Sequence, residues 1–310
     1  KHSFPTRRSS DLYVELFPED PDLPEILFRQ GRLYYDRAIY DPAVRLFGQL
    51  LERYPNSPYA VTAGELILES FNRARDYRNI ERWARRLKDS PAFQTEESQR
   101  RLDTLILQAV FATGEQLAGR GEHAEAARAY LRAAREFPGD ERAPQAFFNA
   151  GVEFQAAGDL SGAAGAYDEL IESHPGTEVG ARGAWAGAQM YESIAHFADA
   201  ARFYEAYGER FPEAERAADA LYNATLLRVT AGDHDRAVAD GQRFLERFRD
   251  HASATDVSFL IGRAHAAAGR WPAAAQVYRR FIRGTRDTNR EIEGRTRLAE
   301  VLREAGDTEA

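Results

Sequence analysis

A spacing of 37 residues organises this chain and leaves few folds open to it. Pro18, Pro55, Pro91, Pro138, Pro175 and Pro212 each close a helix-like stretch, with steps of 37, 36, 47, 37 and 37. Twelve residues before the last five stand Ala43, Asn79, Ala126, Ala163 and Ala200, and Ala237 and Ala274 continue that series. Eight residues before the same prolines come Phe47, Trp83, Tyr130, Tyr167 and Tyr204, with Tyr278 in the same register. Gly31, Gly114, Gly151, Ala188 and Gly262 precede the alanines by twelve. Gly121, Gly158, Gly232, Gly269 and Gly306 form a fifth series on the same grid. Self-similarity at this period is the mark of stacked supersecondary units, each covering its neighbour's apolar face.

Each unit reads as two amphipathic helices. In the fourth, the spacing predicts helices over about Ala143–Ala157 and Leu160–Ser173. Gly158 suits the left-handed residue that closes the first, and Asp159 can cap the second, punctuation repeated at Gly232-Asp233 and Gly306-Asp307. Small residues at Gly151 and Ala163 let the helices approach, Phe147, Phe154 and Tyr167 fill the seam, and Pro175 stops the second helix. No alternating segments bounded by hairpin turns occur, so a sheet is not expected.

Gly-x-x-Phe, a step of twelve to Ala, an aromatic four later and Pro eight beyond that resembles the tetratricopeptide repeat, whose usual period is 34. The resemblance implies an all-α fold, a right-handed α-solenoid of antiparallel helix pairs with about seven repeats. It implies one solenoid over residues 13–310, cut at both ends. Its units are about 13–23 (partial), 24–59, 60–95, 96–142, 143–179, 180–216, 217–253, 254–287 and 288–310 (partial). The unit around Asn79 lacks the small residue expected near Ile67, and about ten extra residues near Gln94–Arg101 should extend the next first helix. The turns Tyr54–Ala60 and His174–Thr177 resemble those of bacterial envelope proteins of this class, the outer-membrane assembly lipoprotein and the Tol-Pal coordinator among them.

The opening segment is of another kind. His2–Leu12 resembles a translated sequencing adapter, and no Met stands at position 1; we expect residues 1–12 not to be native. A native start further upstream leaves room for a signal peptide or lipid anchor.

Composition narrows the chemistry. With no cysteine there is neither a disulfide framework nor a thiolate metal site. A net charge of −8 argues against nucleic acid as a partner, and no apolar run is long enough for a bilayer span. Arginines alternate with acids at helical neighbour spacing, as in Glu81/Arg85 and Glu125/Arg128, which reads as a solvated surface. Arg75–Arg86 and the cluster Arg279, Arg280 and Arg283 are the densest basic patches, where an acidic partner could dock. The histidines are spread over separate units without metal-ligand spacing, and Gly158–Gly165 lacks the Lys-Ser/Thr ending of a phosphate loop. We therefore expect no catalytic, cofactor or metal residues, and no enzyme.

One stripe points to binding. On the first helices stand Phe28, Phe111, Phe148, Trp185, Tyr222 and Phe259, three residues before the small-residue position. In the resembled family this position faces the concave groove or the neighbouring seam. Further along the same face come Arg32, Val152, Gln189 and Arg263, which do not form a basic clamp for a terminal carboxylate. The residues read as structural are Gly31, Ala43, Gly114, Ala126, Gly151, Ala163, Ala188, Ala200, Ala237, Gly262 and Ala274. The expected function is a scaffold that binds peptides or proteins through the concave face, in a bacterial envelope complex of the periplasm or outer membrane. The alternatives are a regulatory array of a larger signalling enzyme and a cytoplasmic adaptor.

Overall fold

A computed structural model of the chain describes Leu16, residues 20–285 and residues 287–306. The adapter-like residues 2–12, the acid Glu19 and the expected cap Asp307 lie outside the described residues. Among the described residues there is no strand and there are fifteen α-helices. In chain order they are α1 (Leu23–Asp36), α2 (Tyr40–Arg53), α3 (Ala60–Arg73), α4 (Tyr77–Lys88) and α5 (Glu96–Gly119). Then come α6 (His123–Glu136), α7 (Ala143–Ala156), α8 (Leu160–Ser173), α9 (Glu178–Ser193) and α10 (Phe197–Arg210). The last five are α11 (Ala217–Ala231), α12 (His234–Arg247), α13 (Ala254–Ala267), α14 (Trp271–Gly284) and α15 (Thr288–Glu304). They fall into two compact units that divide after Gly121, α1–α5 and α6–α15. Within each unit every helix packs on the next, and first helices of successive pairs also touch, as α7 does α9 and α11 does α13.

The expected helix pair at 143–173 differs from the observed one only at its first C-terminus. The alanines of the grid, Ala43, Ala126, Ala163, Ala200, Ala237 and Ala274, are all fully buried, as is Ala188. Gly31, Gly114, Gly151 and Gly262 are buried too. Gly151 shows why a small residue is needed: a Cβ there would stand 2.3 Å from the Tyr167 ring. Tyr167 fills that seam at 0% exposure, and its hydroxyl donates to Gln155 Oε1 at 2.7 Å. One period on, the Tyr204 hydroxyl donates to Glu192 at 2.8 Å in the same way, so the ring is buried while its polar tip stays satisfied. Burial, and for Tyr204 also Glu192, raises both phenols well above their ordinary range.

Helix punctuation follows the grid even where the residue does not. Gly121, Gly158, Gly232, Gly269 and Gly306 all have φ between 70° and 81°. Among the described residues the only non-glycine ones with positive φ are Ala38, Arg75 and Ala195, at φ 56°, 53° and 58°. All three occupy the same grid position as the glycines, twenty residues after Pro18, Pro55 and Pro175. The turn between paired helices thus imposes a left-handed residue whatever its side chain, although this conformation disfavours a Cβ. Asp159 caps α8 by accepting from Gly162 N at 2.8 Å, and Asp76, Thr95, Thr177, Asp233 and Asp287 cap their own helices. The extra residues after Pro91 lengthen α5 to 24 residues, behind a short 3-10 turn at Pro91–Phe93 and the Thr95 cap.

Candidate protein-binding groove

The first helices carry their aromatic stripe half in and half out of the packing. Phe28, Phe111, Phe148, Trp185, Tyr222 and Phe259 are all half-buried. Phe28 meets Phe47 at 5.8 Å and Tyr59 at 5.0 Å between ring centroids. Phe148 meets Tyr167 at 6.0 Å, and Phe259 meets Tyr278 at 5.6 Å and Phe281 at 5.1 Å. Trp185 stands edge-on to Tyr204 at 5.1 Å and to Tyr207 at 5.5 Å, and Tyr222 packs on the core around Leu221 and Ile261. Phe28, Phe148, Trp185, Tyr222 and Phe259 therefore help join their helices to the following ones, and their exposed parts are what a ligand could meet.

The structure gathers three of the sequence-derived residues into one groove. Phe148, Trp185 and Gln189 line a cavity of about 910 Å³ between α7, α9, α10 and the loop that leads into α11. Its other walls are Tyr207 and Phe211 from the end of α10, and Arg182, Arg210 and Arg216. The Arg182 guanidinium lies 4.4 Å from the Phe148 ring centre, and that of Arg216 lies 4.9 Å from Trp185. Such cation–π contacts contribute about 0.5–1 kcal/mol at exposed sites. Among the described residues neither arginine has a carboxylate within ion-pair distance. Arg210 instead donates to the Ile171 carbonyl at the end of α8. Glu178, Glu213 and Glu215 also line the groove, so its charges balance while the two guanidiniums stay on the rings.

The remaining candidates lie elsewhere. Phe28, Arg32 and Phe111 belong to the first compact unit, where Arg32 pairs with Asp36 at 2.8 Å across one helical turn. Val152 and Arg263 are exposed, and with Tyr222 and Phe259 they do not line this groove. The sequence reading missed Arg182, although Glu178, Arg182, Trp185 and Gln189 recur at helical spacing and one more turn back would have found it. Tyr207, Phe211 and Arg216 come from a second helix and a loop, outside any single-helix stripe.

Many of the charged groups outside the groove are paired with one another. Glu81 and Arg85 form the expected pair at 3.0 Å. Others bridge successive helix pairs, such as Arg202–Asp168 at 2.7 Å and Arg86–Glu52 at 2.9 Å. These exposed pairs contribute roughly 0–1 kcal/mol each. His123 meets Glu153 at 2.7 Å, and no group of metal-binding side chains occurs among the described residues. No described helix is long and apolar enough to cross a membrane.

One buried set of charges breaks the apolar pattern of the seams. Arg228 on α11 is 1% exposed and Asp240 on α12 is 0% exposed, with Arg228 Nε 2.6 Å from Asp240 Oδ2. Arg228 also pairs with Asp233 at 3.0 Å and with Glu205 of α10. Arg243 touches Glu205, Glu209 and Asp240, each at 2.9 Å. Burial, then the nearby Glu205 carboxylate, pushes Asp240 up to about 7, against the pull of the two guanidiniums.

Two tetratricopeptide repeat family models match the chain, one over residues 111–178 and 222–287 and the other over 25–57. No curated protein sequence matches it. Among solved structures it is similar to the TPR2AB domain of yeast Sti1, solved in a complex with pHSP90. The identity is 12% over 93% of this chain and 100% of that one, with a TM-score of 0.32. It is similar to BtubC from P. vanneervenii at 16% identity over 70% of this chain and 90% of that one, with a TM-score of 0.36. A tetratricopeptide repeat protein from Parabacteroides merdae is similar at 13% identity over 91% of this chain and 99% of that one, with a TM-score of 0.29. With helix pairs set by the 37-residue grid and family matches over more than half its length, the chain belongs to the tetratricopeptide repeat proteins.

Proposed function

We propose that the protein is a non-enzymatic scaffold that holds partner segments on the face carrying its aromatic stripe, with the groove at Phe148, Trp185 and Gln189 as the main contact. The observation that supports this reading is a walled groove with half-buried rings on which Arg182 and Arg216 rest without carboxylate partners. A partner side chain laid against Trp185 buries apolar area, and the two guanidiniums can turn from ring to ligand. Within the second unit Val152 follows Phe148 on α7, and Tyr222, Phe259 and Arg263 hold the same register on α11 and α13; Phe28, Arg32 and Phe111 hold it within the first unit.

Panning a displayed random-peptide library against the full chain tests this. Selected peptides should lose at least about tenfold in affinity on Trp185→Ala, as expected when a central aromatic anchor is truncated. Tyr222→Ala should have a smaller effect. Equal binding by Trp185→Ala with unchanged helicity would remove this groove from the proposal. The turns Tyr54–Ala60 and His174–Thr177 support a place in a bacterial envelope complex. Recovery of the native full-length protein in a periplasmic or outer-membrane fraction is the corresponding test, and a wholly cytoplasmic distribution would count against it.

A further inference from the structure

The 37-residue register allows the buried charge network to be compared position by position with the next repeat. Glu205, Arg228, Asp240 and Arg243 correspond to Gln242, His265, Val277 and Arg280. In the earlier repeat these four side chains fill the space between α10, α11 and α12 with mutual ion pairs. In the later repeat all four counterparts line an open pocket of about 480 Å³ between α12, α13 and α14. Both carboxylates have become neutral, while the arginine remains and Arg249 joins it in the lining.

Among the described residues no carboxylate lines this pocket. Its polar wall is Arg249, Arg280, Gln242, Gln276, Thr255 and Ser258, and Leu245, Ile261, Val277 and Phe281 add apolar surface. Arg243 holds three carboxylates, whereas neither Arg280 nor Arg249 forms an ion pair among the described residues. Glu246, the counterpart of Glu209, lies outside the lining and pairs with neither. His265 at the floor is held below its ordinary pKa by burial and then by Arg270, so at neutral pH the pocket's charge rests on the two arginines.

We infer that this pocket is a second docking site, which receives a partner protein's aspartate or glutamate side chain together with an adjacent apolar one. The incoming carboxylate takes the place that Glu205 and Asp240 hold one repeat earlier, and planar guanidinium forks suit it. The site is separate from the aromatic face: at 100° per residue its α13 contributions, centred on Ser258, Ile261 and His265, lie about 140° round the helix from Phe259 and Arg263. It also resolves the basic cluster seen in the sequence, since Arg280 enters the pocket while Arg279 and Arg283 do not line it.

The test uses the full chain and N-acetylated, C-amidated hexapeptides in which Glu alternates with Leu, Phe or Val. At least one should bind with saturable fluorescence anisotropy that weakens as salt rises. Its Gln-for-Glu version should bind at least about tenfold more weakly, which corresponds to the loss of one charge-assisted contact. Arg280→Gln and Arg249→Gln should each weaken binding by a similar factor. Gln242→Glu should do the same by supplying the carboxylate from within. Trp185→Ala should leave it unchanged, so failure here and failure of the aromatic groove are told apart. Absence of saturable binding, equal binding of the Gln peptide, or insensitivity to Arg280→Gln and Gln242→Glu would overturn the inference. Displacement of the peptide by an equal concentration of sodium acetate would also overturn it, because the site would then take free anions in place of a protein side chain.

Discussion

Replacing Arg228 with methionine removes the cation at the centre of a seam that water does not reach. Asp240, at 0% exposure, would keep only Arg243, whose side chain is 38% exposed. Removing one partner of a buried pair costs about 3–5 kcal/mol, because the carboxyl left in a poorly solvated site must either stay charged without its counterion or take up a proton. Removing both charges is a different perturbation. Arg228→Met with Asp240→Val uses the residue that the next repeat has at Val277, and apolar replacement of a buried pair is often neutral or stabilising. Glu205, with a side chain 22% exposed, would still have Arg243 at 2.9 Å. The double variant should therefore regain most of the loss and lie within about 1 kcal/mol of the parent. Urea unfolding followed by tryptophan fluorescence in a Trp83→Phe background confines the signal to Trp185 and Trp271, both in the second compact unit. With a slope of about 2 kcal/mol/M, the single variant should lower the midpoint by roughly 1.5–2.5 M. A shift under about 0.5 M in the single variant, with no recovery in the double, would refute the view that burial of unpaired charge governs this seam.

Three further outcomes follow from the geometry. Asp240→Asn should alter the pH dependence of stability: with the native pKa raised to about 7 and an unfolded value near 3.9, the native state binds the extra proton between those limits, so Asp240 makes stability fall as pH rises through that window. Relative to the Asn variant, the parent should lose stability between pH 5 and pH 8 in urea titrations; a parallel response would exclude the titration. Gly151→Ala should destabilise by about 1–2 kcal/mol because overpacking against Tyr167 exceeds the gain in helix propensity. Gly165→Ala, with nothing within 4 Å of the new Cβ, should stabilise by about 0.5–1 kcal/mol, and thermal melts of the two should move in opposite directions. Ala195→Gly should raise stability by about 0.5–1 kcal/mol by relieving φ 58°, whereas Gly158→Ala at φ 77° should lower it by about 1 kcal/mol; denaturant midpoints check both signs.

The helix pairs were legible because each boundary is marked several times over, by an aromatic, a proline, a small residue and a turn residue at fixed offsets. The lengthened α5 was legible for the same reason, as an interruption of a regular count. The left-handed turns at Ala38, Arg75 and Ala195 stood on the grid too, but residue type hid them, since only glycine advertises that conformation. The Arg228–Asp240 pair was not seen because arginine and aspartate read locally as an exposed helix face. The signal lay across repeats, where the same two positions hold Tyr191 and Phe203 in one neighbour and His265 and Val277 in the other. For the groove, one helix carried Phe148 and another Trp185 and Gln189, and their stripe was visible. The loop and second-helix walls had no such period, because a groove between elements has no single repeat distance in sequence.

The charged seam also bears on how such an array can change length. Tandem repeats are gained and lost by unequal recombination, and a hairpin excised between apolar seams leaves surfaces that still match. Loss of residues 197–233 would join α9 directly to α12, setting Tyr191 where Asp240 now finds Arg228 and leaving that aspartate without its central guanidinium. Among the described residues of this unit, the joint from α10 to α12 is thus the one where a whole-repeat deletion breaks a buried ion pair, so copy number there is under tighter constraint than along its flanks.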